Sequence, residues 1–153
     1  MDSEKVRALV DEALMQDESL FLVDLSISSN NKIQVVVDGD RGVPLSECIR
    51  ISRNVEHNLD REEADFSLEV TTPDISNPLQ LKRQYKKNVG RILKVKTDTE
   101  KYEGTLSKAD DEQISLVWKT REPKPIGKGK ITVEKTVNLN YNEIIEAKVK
   151  IVF

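Results

Sequence analysis

Residues 66–79 read Phe66-Ser67-Leu68-Glu69-Val70-Thr71-Thr72-Pro73-Asp74-Ile75-Ser76-Asn77-Pro78-Leu79. Phe66, Leu68 and Val70 alternate with Ser67, Glu69 and Thr71, the period of a strand with one buried face. Pro73 has no N–H to donate and ends the ladder, and Pro78 stiffens the exit. Before this stretch the sequence is acidic and mixes helical with strand patterns. After it the sequence is basic and, past one short helical turn, carries strand patterns only. The stretch is therefore expected to be the last strand of one domain, residues 1–80. Pro73, Asp74, Asn77, Pro78 and Leu79 then form the joint to a second domain, residues 81–153.

The charge changes sign across that joint. Residues 1–80 hold 7 Lys and Arg against 17 Asp and Glu, and residues 81–153 hold 17 against 10. The overall charge of −3 hides this division. Such asymmetry points to nucleic-acid contact on the basic side, or to attraction between the halves. With 153 residues, 37% of them apolar, the chain can build one ordinary domain or two small ones. The single Cys48 has no intrachain disulfide partner, which favours a reducing compartment. No apolar run reaches the length of a membrane span, and Met1 leads directly into Asp2-Ser3-Glu4. A cytoplasmic protein without a membrane partner is expected.

Going back along the first half, Val6, Leu9, Val10, Ala13 and Leu14 share one helical face, predicting a helix over residues 4–16 with Ser3 as its N-cap. Phe21, Val23, Leu25 and Ile27 alternate, as do Ile33, Val35 and Val37. Ser28-Ser29-Asn30-Asn31 between them supplies the turn of a β-hairpin. Pro44 suits a helix start, with Leu45, Cys48, Ile49, Val55 and Leu59 on its apolar face. The first domain is thus αββαβ.

Residues that carry chemistry are few. Asp38, Asp40 and Gly42 have the look of a calcium loop, but the twelfth position counted from Asp38 is Ile49 and not the required Glu. Cys48 lies on an apolar helix face and reads as a buried structural thiol. His57 is the only histidine, and with Arg50 and Arg53 it belongs to a solvated polar face before it belongs to a catalytic or phosphate-binding set. The acidic run at residues 60–65 reads as a solvated loop. No catalytic residue, metal site or cofactor is expected.

In the second half, Leu81, Tyr85 and Val89 predict a short helical turn whose polar positions, Lys82, Arg83, Lys86 and Lys87, are basic. Strands follow at Leu93 and Val95 (alternating with Lys94 and Lys96), at Tyr102, Gly104 and Leu106, at Ile114, Leu116 and Trp118, and at Ala147, Val149 and Ile151. Short strands at this spacing predict a small all-β barrel. Residues 119–138 read as a basic, mobile hairpin extension. Its Gly127-Lys128-Gly129-Lys130 lacks the spacing of a phosphate-binding P-loop. Candidate RNA contacts are Lys82, Arg83, Lys86, Lys87, Arg91, Lys94, Lys96, Lys124, Lys128 and Lys130. Aromatic residues are only 5% of the chain, with Phe66 and Trp118 at core-like positions, which disfavours base stacking on single strands.

Over essentially its full length the chain resembles the bacterial ribosome maturation factor RimP family. The resemblance is carried by Leu22-Val23-Asp24, the turn at residues 38–42, and Val43, Leu45, Cys48 and Ser52 with Leu59-Asp60. It continues through Leu68-Glu69-Val70 with Pro73, then Val89-Gly90, Tyr102, Gly104 and Leu106, and finally Ile144 and Ala147. It implies an α+β protein, an N-terminal αββαβ domain followed by an SH3-like, Sm-like barrel. It also implies a non-enzymatic, monomeric assembly factor for the free or immature small ribosomal subunit, assisting rRNA folding and incorporation of ribosomal proteins, notably S twelve. A general RNA-binding regulator is the competing expectation. One departure stands out: where the family has Pro-Gly-x-x-Arg-Pro-Leu, Asp74 replaces the glycine and Asn77 the arginine. Loss of that arginine removes five donors and a permanent charge.

Overall fold

In the computed structural model, which describes residues 2–151, Asp2 and not Ser3 caps the first helix. Its Oδ1 accepts the backbone N–H groups of Glu4 (3.0 Å) and Lys5 (3.2 Å), satisfying two of the donors that a helix start leaves open. The helix, α1, runs Ser3–Leu14 and buries Val6, Val10, Ala13 and Leu14. Strands β1 (Leu20–Ile27) and β2 (Lys32–Gly39) form the expected antiparallel hairpin. Asn31 turns it with a φ of 59°, a conformation Asn tolerates better than most residues.

The alternation in β1 is not the one the sequence implies. The register slips between Leu22 and Asp24, leaving Val23 as a bulge. An extra residue reverses the faces. Leu20 and Leu22 reach the core before the bulge and Leu25 and Ile27 after it, whereas Val23 is not part of that cluster.

Helix α2 (Leu45–His57) and strand β3 (Ser67–Thr71) complete the first unit, with β3 parallel to β2 from Lys32↔Ser67 to Val36↔Thr71. The strand order is β1-β2-β3, so β2 is central, and its Ile33, Val35 and Val37 are fully buried. The inner face of α2 is Cys48, Ile51 and Val55. Leu45 and Ile49, expected inside, are 75% and 42% exposed, and Ile51 takes the core position. Two polar side chains of α2 hold α1: Arg50 donates to the Ala13 carbonyl (2.8 Å) and Asn54 to the Leu9 carbonyl (2.8 Å). Arg50 is in turn gripped by Glu47 at 2.6 Å. It thereby satisfies one of the carbonyls left open at the end of α1.

The chain divides into two compact units between Asp74 and Ile75. Among the described residues Asn31 is the only non-glycine with positive φ, so Asp74 occupies its position without a left-handed backbone.

The second unit begins with α3 (Lys82–Lys87) and continues with β4 (Ile92–Thr97), β5 (Lys101–Ala109), β6 (Gln113–Pro123) and β7 (Lys130–Asn140). A 3-10 turn at Tyr141–Glu143 leads to β8 (Ile144–Val149). The strands make one antiparallel sheet in the order β7-β6-β5-β4-β8, with β7 and β8 at its edges. Leu93, Val95, Leu106, Ile114, Leu116, Leu139 and Ala147 form its core. Gly104 is needed there because a Cβ would lie 2.9 Å from the Val117 carbonyl oxygen of the adjoining strand. Ile151 lies beyond β8 and is exposed.

Three further expectations change in this unit, the first being that the strands form an open sheet among the described residues where a closed barrel was expected. Val89 is 47% exposed; the inner side of α3 is Tyr85 with the amides of Gln84 and Asn88. Gln84 Oε1 accepts from the backbone of Gln80 (2.8 Å) and Leu81 (3.0 Å), and Asn88 donates to the Gln84 carbonyl (2.7 Å), so these buried amides are paired. The basic segment expected as a mobile extension is mostly ladder: β6 and β7 pair continuously from Gln113↔Asn140 to Pro123↔Lys130. Only residues 124–129 form the loop.

Tyr85 packs edge-on against Tyr141 at 5.1 Å, and burial pushes its phenol up to about 12. A raised folded value means that its contribution is intact below the unfolded pKa of about 10 and is lost as pH rises toward 12. Comparison of urea unfolding at pH 9 and pH 11.5 should show a steeper alkaline loss for the native sequence than for Tyr85→Phe.

Candidate nucleic-acid interface

Strands β5, β4 and β8 turn their core residues inward, so the alternate positions project to solvent on the other face. Lys94 and Lys96 of β4 are such positions. The register sets Lys94 between Glu103 of β5 and Lys148 of β8, and sets Lys96 between Lys101 and Glu146. The two rows lie about 7 Å apart along the strand. They line a trough of about 350 Å³, to which Val95 and Tyr102 also contribute. Lys150, just past β8, reaches Glu103 at 3.5 Å, while Lys94 sits at 4.0 Å from the other oxygen of the same carboxylate. Lys148 pairs with Glu146 at 3.0 Å.

The electrostatics of this trough favour an anion. Lys96 directly opposes Lys101, and Lys94 directly opposes Lys148. Like charges at directly paired strand positions cost stability. The two glutamates offset part of that repulsion and leave an excess of lysines. A bound polyanion relieves the rest, and Lys is suited to it as a flexible point charge.

The other predicted contacts lie elsewhere in the second unit. On α3, Lys86 is paired with Asp111, and Lys82 stands 5.4 Å from the Tyr141 ring centroid. Arg83 and Lys87 are half-buried on the same helix, and Arg91 is exposed just before β4. Lys124, Lys128 and Lys130 are exposed at the far end of the β6–β7 hairpin. The predicted set is therefore split between a helix, a trough and a hairpin end. Lys101, Lys148 and Lys150 were not among the predicted contacts. Their only sequence signal is their place at polar positions of alternating strands, which acquires meaning once the register is known.

In the first unit, Cys48 is buried, and burial pushes its thiol pKa up, away from nucleophilic use. Arg50 is committed to α1 and Glu47, whereas Arg53 and His57 are exposed. The acidic loop is organised by Arg61, which pairs with Glu56 (3.2 Å) and Asp65 (3.1 Å) and lies over the Phe66 ring at 4.1 Å. Among the described residues no group of three or more His, Cys, Asp or Glu is placed to hold a metal. No helix among them is long and apolar enough to cross a membrane.

An acidic unit built on an αββαβ order and a basic unit of five antiparallel strands with a lysine-lined outer trough define a charge-divided α+β protein. Residues 8–76 match the family model described as the RimP N-terminal domain. The ribosome maturation factor RimP of Christiangramia forsetii is 56% identical over 153 residues, covering 100% of both chains. That of Flavobacterium psychrophilum is 51% identical over 150 residues, covering 98% of this chain and 97% of its own. That of Porphyromonas gingivalis is 33% identical over 117 residues, 76% of each. The chain belongs to the ribosome maturation factor RimP family.

Proposed function

We propose that this chain is a non-enzymatic bacterial ribosome maturation factor that binds the free or immature small ribosomal subunit and assists its late assembly. The observation that carries the reading is end-to-end identity of 56% with a protein named for ribosome maturation. The lysine trough supports it as a surface for rRNA phosphates, joined by the basic residues of α3 and the β6–β7 hairpin. The acidic first unit suits a basic ribosomal protein, S twelve being the family's expected one. Complementary charge of this kind sets encounter rate and orientation more than final affinity. The joint at Pro73, Asp74, Asn77, Pro78 and Leu79 links the two functions, the second unit is an SH3-like, Sm-like barrel domain in its family relation, and the protein acts as a cytoplasmic monomer without cofactor.

A general RNA-binding regulator is the second reading, favoured by the trough, whose lysines carry no base-specific information. Sedimentation with ribosomal particles in the presence of competing structured RNA separates the two. Retention on small subunits at equimolar competitor supports the maturation factor; release by that competitor supports the general binder.

A further inference from the structure

Strand β5 pairs with β6 only from Ile114 to Val117. Beyond that point Trp118 to Pro123 and Lys130 to Lys135 pair with each other and, among the described residues, with no third strand. They form a two-stranded arm of six residue pairs, about 20 Å long. An isolated two-stranded ladder is marginal in water. This one is braced by the Glu122–Lys135 ion pair at 2.8 Å and by Arg121 donating to the Lys130 carbonyl at 3.4 Å.

The end of the arm is built around one apolar side chain. Ile126 is 90% exposed. Pro123 and Pro125 fix the backbone before it. Gly127 (φ 87°) and Gly129 (φ 98°) supply the left-handed turns after it, with the Lys124 N–H closing onto the Gly129 carbonyl at 3.1 Å. From Pro123 to Ile131 there are three lysines and no acidic residue. The arm therefore ends in an exposed isoleucine within a basic stretch.

We propose that this arm enters a groove of double-helical RNA and that Ile126 wedges between bases at its end, with Lys124, Lys128 and Lys130 on the flanking phosphates. The inference rests on the RNA-contacting reading above and adds a specific deformation to it. In A-form RNA the wide, shallow minor groove is the accessible one, and the end of a two-stranded ribbon can lie across it. Apolar wedges at the ends of basic elements unstack weak base steps, and phosphate contacts hold them in register. Three exposed lysines with no acidic residue between Pro123 and Ile131 fit a polyanion better than a protein surface of mixed charge.

The full chain is titrated into an RNA duplex containing one bulge, with 2-aminopurine beside the bulge to report unstacking. The native sequence should raise the fluorescence. Ile126→Ser should abolish most of that rise while weakening binding less than tenfold and leaving the salt slope unchanged. Replacing Lys124, Lys128 and Lys130 by glutamine should weaken binding more than tenfold and lower the salt slope by about two. Binding without a fluorescence rise, or a rise that survives Ile126→Ser, overturns the wedge. So does loss of small-subunit binding by the lysine variant when the duplex is not bound at all, which makes the arm a protein contact. If the native chain binds small subunits but not the duplex, the maturation reading stands and this inference falls. An Ile126-dependent rise without small-subunit binding leaves the wedge standing and removes the ribosomal reading.

Discussion

Replacing Lys96, Lys101 and Lys148 by glutamine should lower affinity for immature small subunits about a hundredfold near 0.1 M salt. Each lysine–phosphate contact releases condensed counterions and contributes about 0.7–0.9 to the slope of log affinity against log salt. Three lost contacts should therefore reduce that slope by about two to three. The variant should stay within about 1 kcal/mol of the native stability, because removing the directly opposed pairs Lys96–Lys101 and Lys94–Lys148 offsets the loss of the exposed Lys148–Glu146 ion pair. That combination separates a binding face from a structural one. Filter binding or anisotropy from 0.05 to 0.3 M salt, with urea unfolding of the same samples, measures both. An unchanged slope would remove the trough from the interface.

The second large effect is on the first unit. Ile51→Ala should cost about 2–5 kcal/mol, because Ile51 is fully buried beneath α1 and the sheet and truncation leaves a cavity. Leu45→Ala, six residues earlier on the same helix, should change stability by less than about 0.5 kcal/mol, since that side chain is 75% exposed. Urea denaturation of the two variants checks both figures. Equal losses would mean that α2 presents a different face to the core.

This contrast marks how far the sequence was legible. Periodicity located α1, the first hairpin, α2 and β3, because each has apolar residues repeating at its own period. On β1 and α2 it placed most of the inner residues, Phe21, Leu25 and Ile27 on one and Cys48, Val55 and Leu59 on the other, and missed the rest for definite reasons. The bulge at Val23 inserts a residue that no alternation rule anticipates. Leu45 and Ile49 are apolar yet lie outside, and Ile51 was passed over although Cys48, Ile51 and Val55 form an equally regular series. Strand β7 was obscured by composition: Ile131, Val133, Val137 and Leu139 alternate, but the lysines and glycines around residues 124–130 gave the segment the look of a loop.

The candidate interface was legible only in part. Lys94 and Lys96 stand out as the polar positions of one strand. Their neighbours Lys101 and Lys148 come from β5 and β8 and join them through pairing registers set by the core on the opposite face. Charge division across residues 66–79 was plain from the outset, because it is a property of composition and needs no contact to be seen. Joining charges into one trough does need contacts.

The central claim is most directly tested by sedimenting the purified protein with small subunits, large subunits and assembled ribosomes in parallel gradients at physiological salt. Migration with free or immature small subunits, and with neither of the others, is the predicted result. Migration with large subunits or assembled ribosomes, or with no particle at all, would contradict the account.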